Sequence, residues 1–263
     1  MFSIIIATFN RSALLHETIE SILNQTYEKF EIIVVSDGST DDTKERIEAI
    51  DDDRISFIQL DRNYGFPAVA RNVGIINSNF PHIAFCDDDD LWLPDKLMKQ
   101  SKFIANGYDM IFSNFNILGH SHNSGSLYRH SILPFIINRI SSKISFYYLC
   151  FTNPIAHSSI VISKKVLGEN RFNESPDYKA SEDYELWIKV FKKSNPFYIK
   201  EALCEYRVHE DNISSHFLKN LKRCVMLFRN LNKQPWSFKY LGVISYFLRF
   251  HLYNIKNLIT SKK

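Results

Sequence analysis

The chain has 263 residues, 45% hydrophobic and 14% aromatic, enough to enclose one sizeable core with at most a small appendage. Eight glycines and eight prolines are too few for a collagen-like or long low-complexity region, and no period of roughly 20–50 residues recurs, which excludes a solenoid. The net charge of +3 is unevenly spread: ten of the 32 Lys/Arg and none of the 29 Asp/Glu fall in residues 216–263, so a body of net −7 carries a basic tail.

Short β-branched apolar runs alternate with helical patterns through the first half. Ser3–Ala7 is the first predicted strand. Leu14, Leu15, Ile19, Ile22 and Leu23 then recur at helical spacing, with Ser12 as the expected N-cap. Glu31–Val35 is the second strand, and Ser39, Thr40, Asp41 and Asp42 offer caps for a helix running to Ile50. Ile55–Leu60 is the third strand, and Pro67 suits the first turn of the helix after it. His82–Cys86 is the fourth, ending in four aspartates, with Pro94 opening the next helix. Strands apolar throughout and separated by helices imply parallel pairing with both faces covered, a doubly wound α/β arrangement. Ligands in such sheets sit beyond the carboxyl ends of the strands, which places Thr8–Arg11, Asp37–Thr43, Asn63–Phe66 and Asp87–Asp90 along one edge.

The second half is less regular. Met110–Ser113 and Ser159–Ser163 read as strands, Gly119–Ser126 as a loop, and residues 115–150 resist assignment. Ser181 is placed to cap a helix to about Phe191, Pro196–Arg207 is extended, and the pattern from Phe217 onward is helical with a break near Gln234-Pro235. The expected organisation is one domain over residues 1–215, divided into halves at 1–114 and 115–215. A basic amphipathic helical extension follows at 216–263. Cys86, Cys150, Cys204 and Cys224 lie far apart without a CxxC pair, so reduced thiols are expected instead of zinc or a disulfide framework. No basic n-region or long h-region marks an export signal at the N-terminus, and the sequons at Asn24 and Asn212 are read as chance. The tail's longest apolar run, Tyr240–Leu248, is well below the roughly 20 residues that span a bilayer.

Two segments carry the chemistry. Carboxylates crowded as Asp87-Asp88-Asp89-Asp90 at a strand end raise each other's pKa unless a cation neutralises them, and hard divalent ions such as Mg²⁺ or Mn²⁺ prefer such oxygen ligands. Strand alternation sends Asp87 and Asp89 to one side. The competing reading is a solvated acidic turn that caps the next helix. Asp37 follows the second strand, where a carboxylate accepts hydrogen bonds from a nucleobase or ribose; the competing reading of Asp37–Asp42 is a glycine turn and helix cap. No GxGxxG and no Walker Gly-Lys-Ser/Thr is present, so dinucleotide and P-loop readings lack their fingerprint.

Ser3-Ile4-Ile5-Ile6-Ala7-Thr8-Phe9-Asn10-Arg11, Val34–Thr43, Ala70-Arg71-Asn72 and Phe85–Pro94 resemble, in order and spacing, the successive motifs of family 2 glycosyltransferases. The likeness continues more thinly in Ser181-Glu182-Asp183-Tyr184-Glu185-Leu186-Trp187 and in Tyr206-Arg207-Val208-His209 with Asn212 and Ser214. The resemblance implies a GT-A fold, a mixed sheet flanked by helices, and transfer of a sugar from a nucleotide diphosphate with inversion. It implies that Thr8, Asn10, Arg11, Asp37, Arg71, Asp87 and Asp88 bind the nucleotide sugar, with Asp37 on uracil and Asp87 on ribose. It also implies that Asp89 holds Mn²⁺ or Mg²⁺, that His209 touches metal or diphosphate, and that Asp183 is the general base. Four consecutive aspartates leave the register open: the family usually shows only part of such a run as acidic, so Asp88 and Asp90 are alternative holders of these roles. Glu182, Trp187 and His157 are placed on the acceptor side, Trp187 with Trp92 also as packing. No Gln-x-x-Arg-Trp segment is present, which favours single-sugar addition.

From this resemblance the expected substrates are a UDP-sugar and a saccharide acceptor on a lipid diphosphate carrier, in bacterial O-antigen, capsule or other surface polysaccharide. The tail intersperses Lys219, Lys222, Arg223 and Arg229 with Phe217, Leu221, Met226 and Phe228, a composition suited to an anionic membrane surface and lacking a nucleic-acid motif. The expected location is the cytoplasm, peripheral on the inner membrane face. The alternatives are nucleotidyl transfer to a sugar phosphate, which would need a Gly-rich basic loop near the N-terminus, and a sugar-nucleotide-binding scaffold without turnover.

Overall fold

The computed structural model describes residues 1–118 and 155–208, together with Asn138, Leu149 and Asn153. The expected strands of the first half are β1 (Phe2–Thr8), β2 (Phe30–Ser36), β3 (Ile55–Gln59) and β4 (His82–Asp87), separated by helices α1 (Ser12–Leu23), α2 (Thr43–Glu48) and α3 (Ala68–Asn77). After the short β5 (Leu91–Trp92) come α4 (Lys96–Ala105), β6 (Met110–Ile117), a 3₁₀ turn (His157–Ser159), β7 (Val161–Ser163), α5 (Lys164–Leu167), a second 3₁₀ turn (Pro176–Tyr178), α6 (Glu182–Phe191) and β8 (Pro196–Tyr206).

The described residues form one eight-stranded sheet in the order β3-β2-β1-β4-β7-β6-β8-β5. The first four strands are parallel, as expected from their uninterrupted apolar runs. β7 turns antiparallel between β4 and β6, and β8 runs parallel to β6 and antiparallel to β5, so the sheet is mixed. This is the α/β architecture expected for the GT-A fold. The border between residues 114 and 115 falls inside β6. The border at residue 215 and the helical extension lie outside the described residues.

Packing explains the strand order. In the central β1, Ile4 and Ile6 meet Leu15, Ile19 and Ile22 of α1, while Ile5 faces the second core layer with Phe85, Phe112 and Trp187. β3, at the sheet edge, is only half-buried. Gly74 of α3 lies so close to β1 that an added Cβ would stand 2.4 Å from Ile5 Cγ2, so glycine permits this helix–sheet approach. Trp92 is buried, as expected of a packing residue, with Lys96 Nζ 3.9 Å from its ring centroid. Cys86 and Cys204 are free thiols in the core. Among the described residues no helix is long and apolar enough to cross a membrane.

Several local expectations are corrected. Ser12 is the first residue of α1, and its Oγ donates to Asp42 instead of capping. Asp41 accepts from the Thr43 N–H at the start of α2, which ends at Glu48 and not Ile50. Ser181 makes no side-chain cap; its Oγ donates to the Tyr178 carbonyl. Residues 157–159 form a 3₁₀ turn ahead of β7 where the sequence suggested strand from Ser159.

Candidate functional site

The carboxyl ends of β1, β2 and β4 and the start of α6 open on one cleft of about 900 Å³. Thr8, Arg11, Asp37, Arg71, Asp87, Asp88, Asp89, His157, Glu182 and Asp183 all line it, so residues up to 175 positions apart in sequence are gathered in one place. The volume is of the size that holds a nucleotide-sized ligand.

Asp37 leaves β2 into a turn made possible by Gly38. This glycine has φ +73° and no room for a Cβ, which would stand 2.4 Å from the Arg62 carbonyl carbon. The Asp37 carboxylate accepts from the N–H groups of Tyr64 at 3.0 Å and Gly65 at 3.3 Å. Burial raises its pKa, partly offset by these two donors. Asn10, expected among the nucleotide-binding residues, instead locks two loops together. At φ +51° it accepts the Thr40 N–H on Oδ1 and donates its own N–H to Ser39 Oγ. Its side chain is exposed and does not line the cleft.

β4 ends at Asp87, so the alternation that would pair Asp87 with Asp89 stops there. Asp88 and Asp89 converge instead on Arg11, whose Nη1 donates to Asp88 Oδ1 at 3.1 Å and to Asp89 Oδ2 at 2.9 Å. Thr8 Oγ1 donates to the other Asp88 oxygen at 2.8 Å. Burial, then repulsion from Asp89 set against attraction from Arg11, raises Asp88 to a pKa of about 6. Asp90 also borders the cleft, but its carboxylate is engaged: it accepts from Ser158 Oγ and from the Arg207 N–H, and burial with repulsion by Asp87 and Asp89 pushes its pKa well up. Its bonds to Ser158 and Arg207 brace the turn.

Two carboxylates already focused on one cation suit a hard divalent ion, which takes one or two protein carboxylates and fills its remaining positions with phosphate oxygens and water. No cluster of three or more His, Cys, Asp or Glu among the described residues would enclose a metal by itself. His209 lies outside the described residues.

Asp87 belongs to a second network. Arg71, buried on α3, donates from Nη2 to Asp87 Oδ1 at 2.7 Å and from Nη1 to Glu182 Oε1 at 2.8 Å. Burial opposes ionisation of Asp87, but the bonded Arg71 guanidinium, with Arg11 farther off, outweighs it and holds its pKa below the ordinary value. Glu182, expected on the acceptor side, is buried in this pair. Asp183 follows it, half-buried at the helix start and lining the cleft. Burial, then the Glu182 charge, raise Asp183 to a pKa of about 7, against the pull of Arg71 and the Tyr184 N–H. The preceding Ala180 has φ +62°, a strained value for a residue with a Cβ, at the point where the chain turns into this helix.

Trp187, expected on the acceptor side, is fully buried and packs on Phe85 and Phe172, so it faces the core and not the cleft. The i+4 spacing from Asp183 places it one turn deeper in α6. His157 does reach the cleft, from the 3₁₀ turn above β4, with Nε2 3.8 Å from Asp87 Oδ1. Burial and the Arg71 charge lower its pKa to about 3, so the ring is neutral.

Two structural residues were missed in the sequence. Arg207 donates Nε to the Asp89 carbonyl and Nη2 to Glu17, fastening the aspartate turn to β8 and α1. Ser158 holds Asp90 and also accepts the Asp87 N–H at 3.0 Å. Arg207 sat inside the Tyr206–His209 motif and was the legible one; Ser158 carried no signal.

Residues 3–168 match the family model described as glycosyl transferase family 2. A relative from Escherichia coli, named UDP-Glc:alpha-D-GlcNAc-diphosphoundecaprenol beta-1,3-glucosyltransferase WfgD, is 28% identical over 98% of this chain and 97% of its own. Coverage of relatives varies: the chain spans only 29% of the length of one that is 36% identical. Among solved structures, S. aureus TarS 1-349 in complex with UDP-GlcNAc superposes with a TM-score of 0.71 at 19% identity, over 92% of this chain and 70% of that one. Mannosyltransferase PcManGT from Pyrobaculum calidifontis, in complex with GDP-Man and Mn²⁺, superposes at 0.67 with 18% identity, over 93% and 69%.

Proposed function

The chain belongs to glycosyl transferase family 2, and we propose that it transfers a hexose or N-acetylhexosamine from a UDP-sugar to a saccharide on a lipid diphosphate carrier, with inversion and one sugar per encounter. The observation that carries this reading is the placement of Asp183 in the same cleft as Asp37 and the Asp87–Asp89 turn. In this reading a leaving-group end and a proton-accepting end share one space.

In this reading Thr8, Arg11 and Asp37 line the nucleoside pocket, Asp37 accepting from uracil and Asp87 from ribose. Asp89, with Asp88 beside it, would hold Mn²⁺ or Mg²⁺, which would supply positive charge to offset that of a departing diphosphate. The complex of PcManGT with Mn²⁺ supports a divalent ion in this fold. His209 is a further candidate ligand on sequence grounds alone.

Asp183 takes the proton. An acceptor hydroxyl is too weak a nucleophile at its free pKa, so a carboxylate must accept its hydrogen as the oxygen attacks the anomeric carbon. The new C–O bond forms as the bond to the β-phosphate oxygen breaks on the opposite face, so an α-linked donor yields a β-glycoside. A base with a pKa of about 7 is half-ionised near neutrality and matched to that task. Glu182 is tied to Arg71 and serves to shape Asp183, not to replace it.

The acceptor class rests on the names of relatives such as WfgD, which acts on a diphosphoundecaprenol-linked sugar. The basic, aromatic-rich sequence of residues 216–263 supports peripheral attachment at the cytoplasmic membrane face, where such a carrier sits. Acceptor-dependent UDP release from a panel of UDP-sugars tests the whole reading.

A further inference from the structure

Both ring nitrogens of His157 are buried, and neither has a hydrogen-bond partner among the described residues. Buried polar atoms are nearly always paired, so an orphan calls for an explanation. Trp92 and Trp187 also bury an unpartnered Nε1, but neither lines the cleft. His157 does, with only 5% of its side chain exposed. Its ring is clamped 5.1 Å from Phe85 of β4, 5.8 Å from Phe172 and 6.2 Å from Trp187 of α6, so aromatic packing holds it in place without a hydrogen bond among the described residues.

Its position decides what it can meet. On one side stands Asp87, 3.8 Å away at the head of the aspartate turn. On the other stands α6, where the Arg71 bridge from Asp87 ends on Glu182, next to Asp183. In a direct displacement the leaving diphosphate and the incoming hydroxyl lie on opposite faces of the sugar being moved. A residue between the diphosphate end and the base therefore borders that sugar. Resting on the function proposed above, we infer that His157 hydrogen-bonds hydroxyl groups of the transferred sugar and so selects the donor, instead of contacting the acceptor.

The chemistry fits a neutral ring. Uncharged imidazole offers one N–H donor and one lone pair, which matches sugar hydroxyls that both give and accept. A protonated ring would face the Arg71 guanidinium. A site built to pair a particular hydroxyl rejects analogues lacking it, because its own buried atoms are then left unpaired.

Calorimetric titration of UDP, UDP-glucose, UDP-galactose and UDP-GlcNAc with Mn²⁺ reads this directly. The wild-type protein is expected to bind its preferred UDP-sugar more tightly than UDP. His157→Phe keeps the aromatic packing and removes both nitrogens; it should lose about tenfold of that margin with unchanged affinity for UDP and unchanged acceptor KM. His157→Gln restores a donor and an acceptor and should recover part of the margin with an altered ranking of sugars. Should the Phe variant fail to fold, the ranking shown by the Gln variant decides the matter. The inference is overturned if the wild type shows no margin, if variants keep the wild-type margin and ranking, or if only acceptor KM rises. A wild-type protein that binds no UDP overturns the functional reading as well.

Discussion

Arg71 and Glu182, 111 residues apart in the chain, are joined by a 2.8 Å bond between Nη1 and Oε1 with both side chains buried. The same guanidinium holds Asp87, so one side chain couples the end of β4 to the start of α6. It sets the spacing between Asp87 and the helix start that carries Asp183. Lysine cannot make both contacts, since its ammonium lacks the planar fork.

Arg71→Met should therefore cost stability and transfer together. Removing one member of a buried ionic network strands its partners, here Asp87 and Glu182, at roughly 3–5 kcal/mol. Chemical denaturation is expected to show that loss, and Arg71→Lys a smaller one, with UDP release depressed in both. A Met variant as stable as the wild type would contradict the bridging role.

Asp183 makes a prediction about pH with two opposite signs. As a base it must be ionised, so kcat/KM should rise with pH through an apparent pKa near 7 and level off above it. The same raised pKa costs stability: the penalty begins as pH passes the unfolded value near 3.8 and is complete above about 7. Asp183→Asn should thus lose at least about 100-fold in turnover. It should also be more stable than the wild type by about 1–3 kcal/mol at pH 8, after allowing for the partial exposure of the residue, and by less at pH 5. An Asn variant with near-normal turnover removes Asp183 as the base.

Metal removal separates the two ends of the cleft. Chelation should weaken UDP binding to the wild type about tenfold or more and leave Asp89→Ala, already weak, unchanged. Equal sensitivity of both proteins to chelator would place the ion elsewhere.

Ala180 tests the backbone entry to α6. Its φ of +62° costs about 1–2 kcal/mol for a residue with a Cβ. Ala180→Gly is expected to fold and turn over normally. Ala180→Val should lose about 1–2 kcal/mol in denaturation and reduce turnover, because a branched side chain resists this conformation and displaces Glu182 and Asp183. Normal activity in the Val variant would show that this turn does not position the base.

What the sequence made legible follows the physics of local signals. Uninterrupted runs such as Ile4-Ile5-Ile6 and Ile32–Val35 report burial on both faces, so the parallel half of the sheet was readable with its edge loops. The antiparallel insertion of β7 was not, because three residues, Val161–Ser163, carry no period. Asp37 and the aspartate turn were visible as types at a strand end. Their partners were not: Asp88 and Asp89 meet on Arg11 only because β4 stops at Asp87, and nothing local says where a strand will stop. Asn10 was assigned to the site through motif likeness and instead locks two loops, while Trp187, read both as acceptor-side and as packing, lies in the core.

The most direct test of the account is UDP release by the wild-type protein, supplied with Mn²⁺, a UDP-hexose or UDP-N-acetylhexosamine, and a diphosphate-lipid monosaccharide acceptor. The account predicts release that requires acceptor, is lost in Asp183→Asn and leaves a β-linked product. Release that ignores acceptor, or persists undiminished in Asp183→Asn, would contradict it.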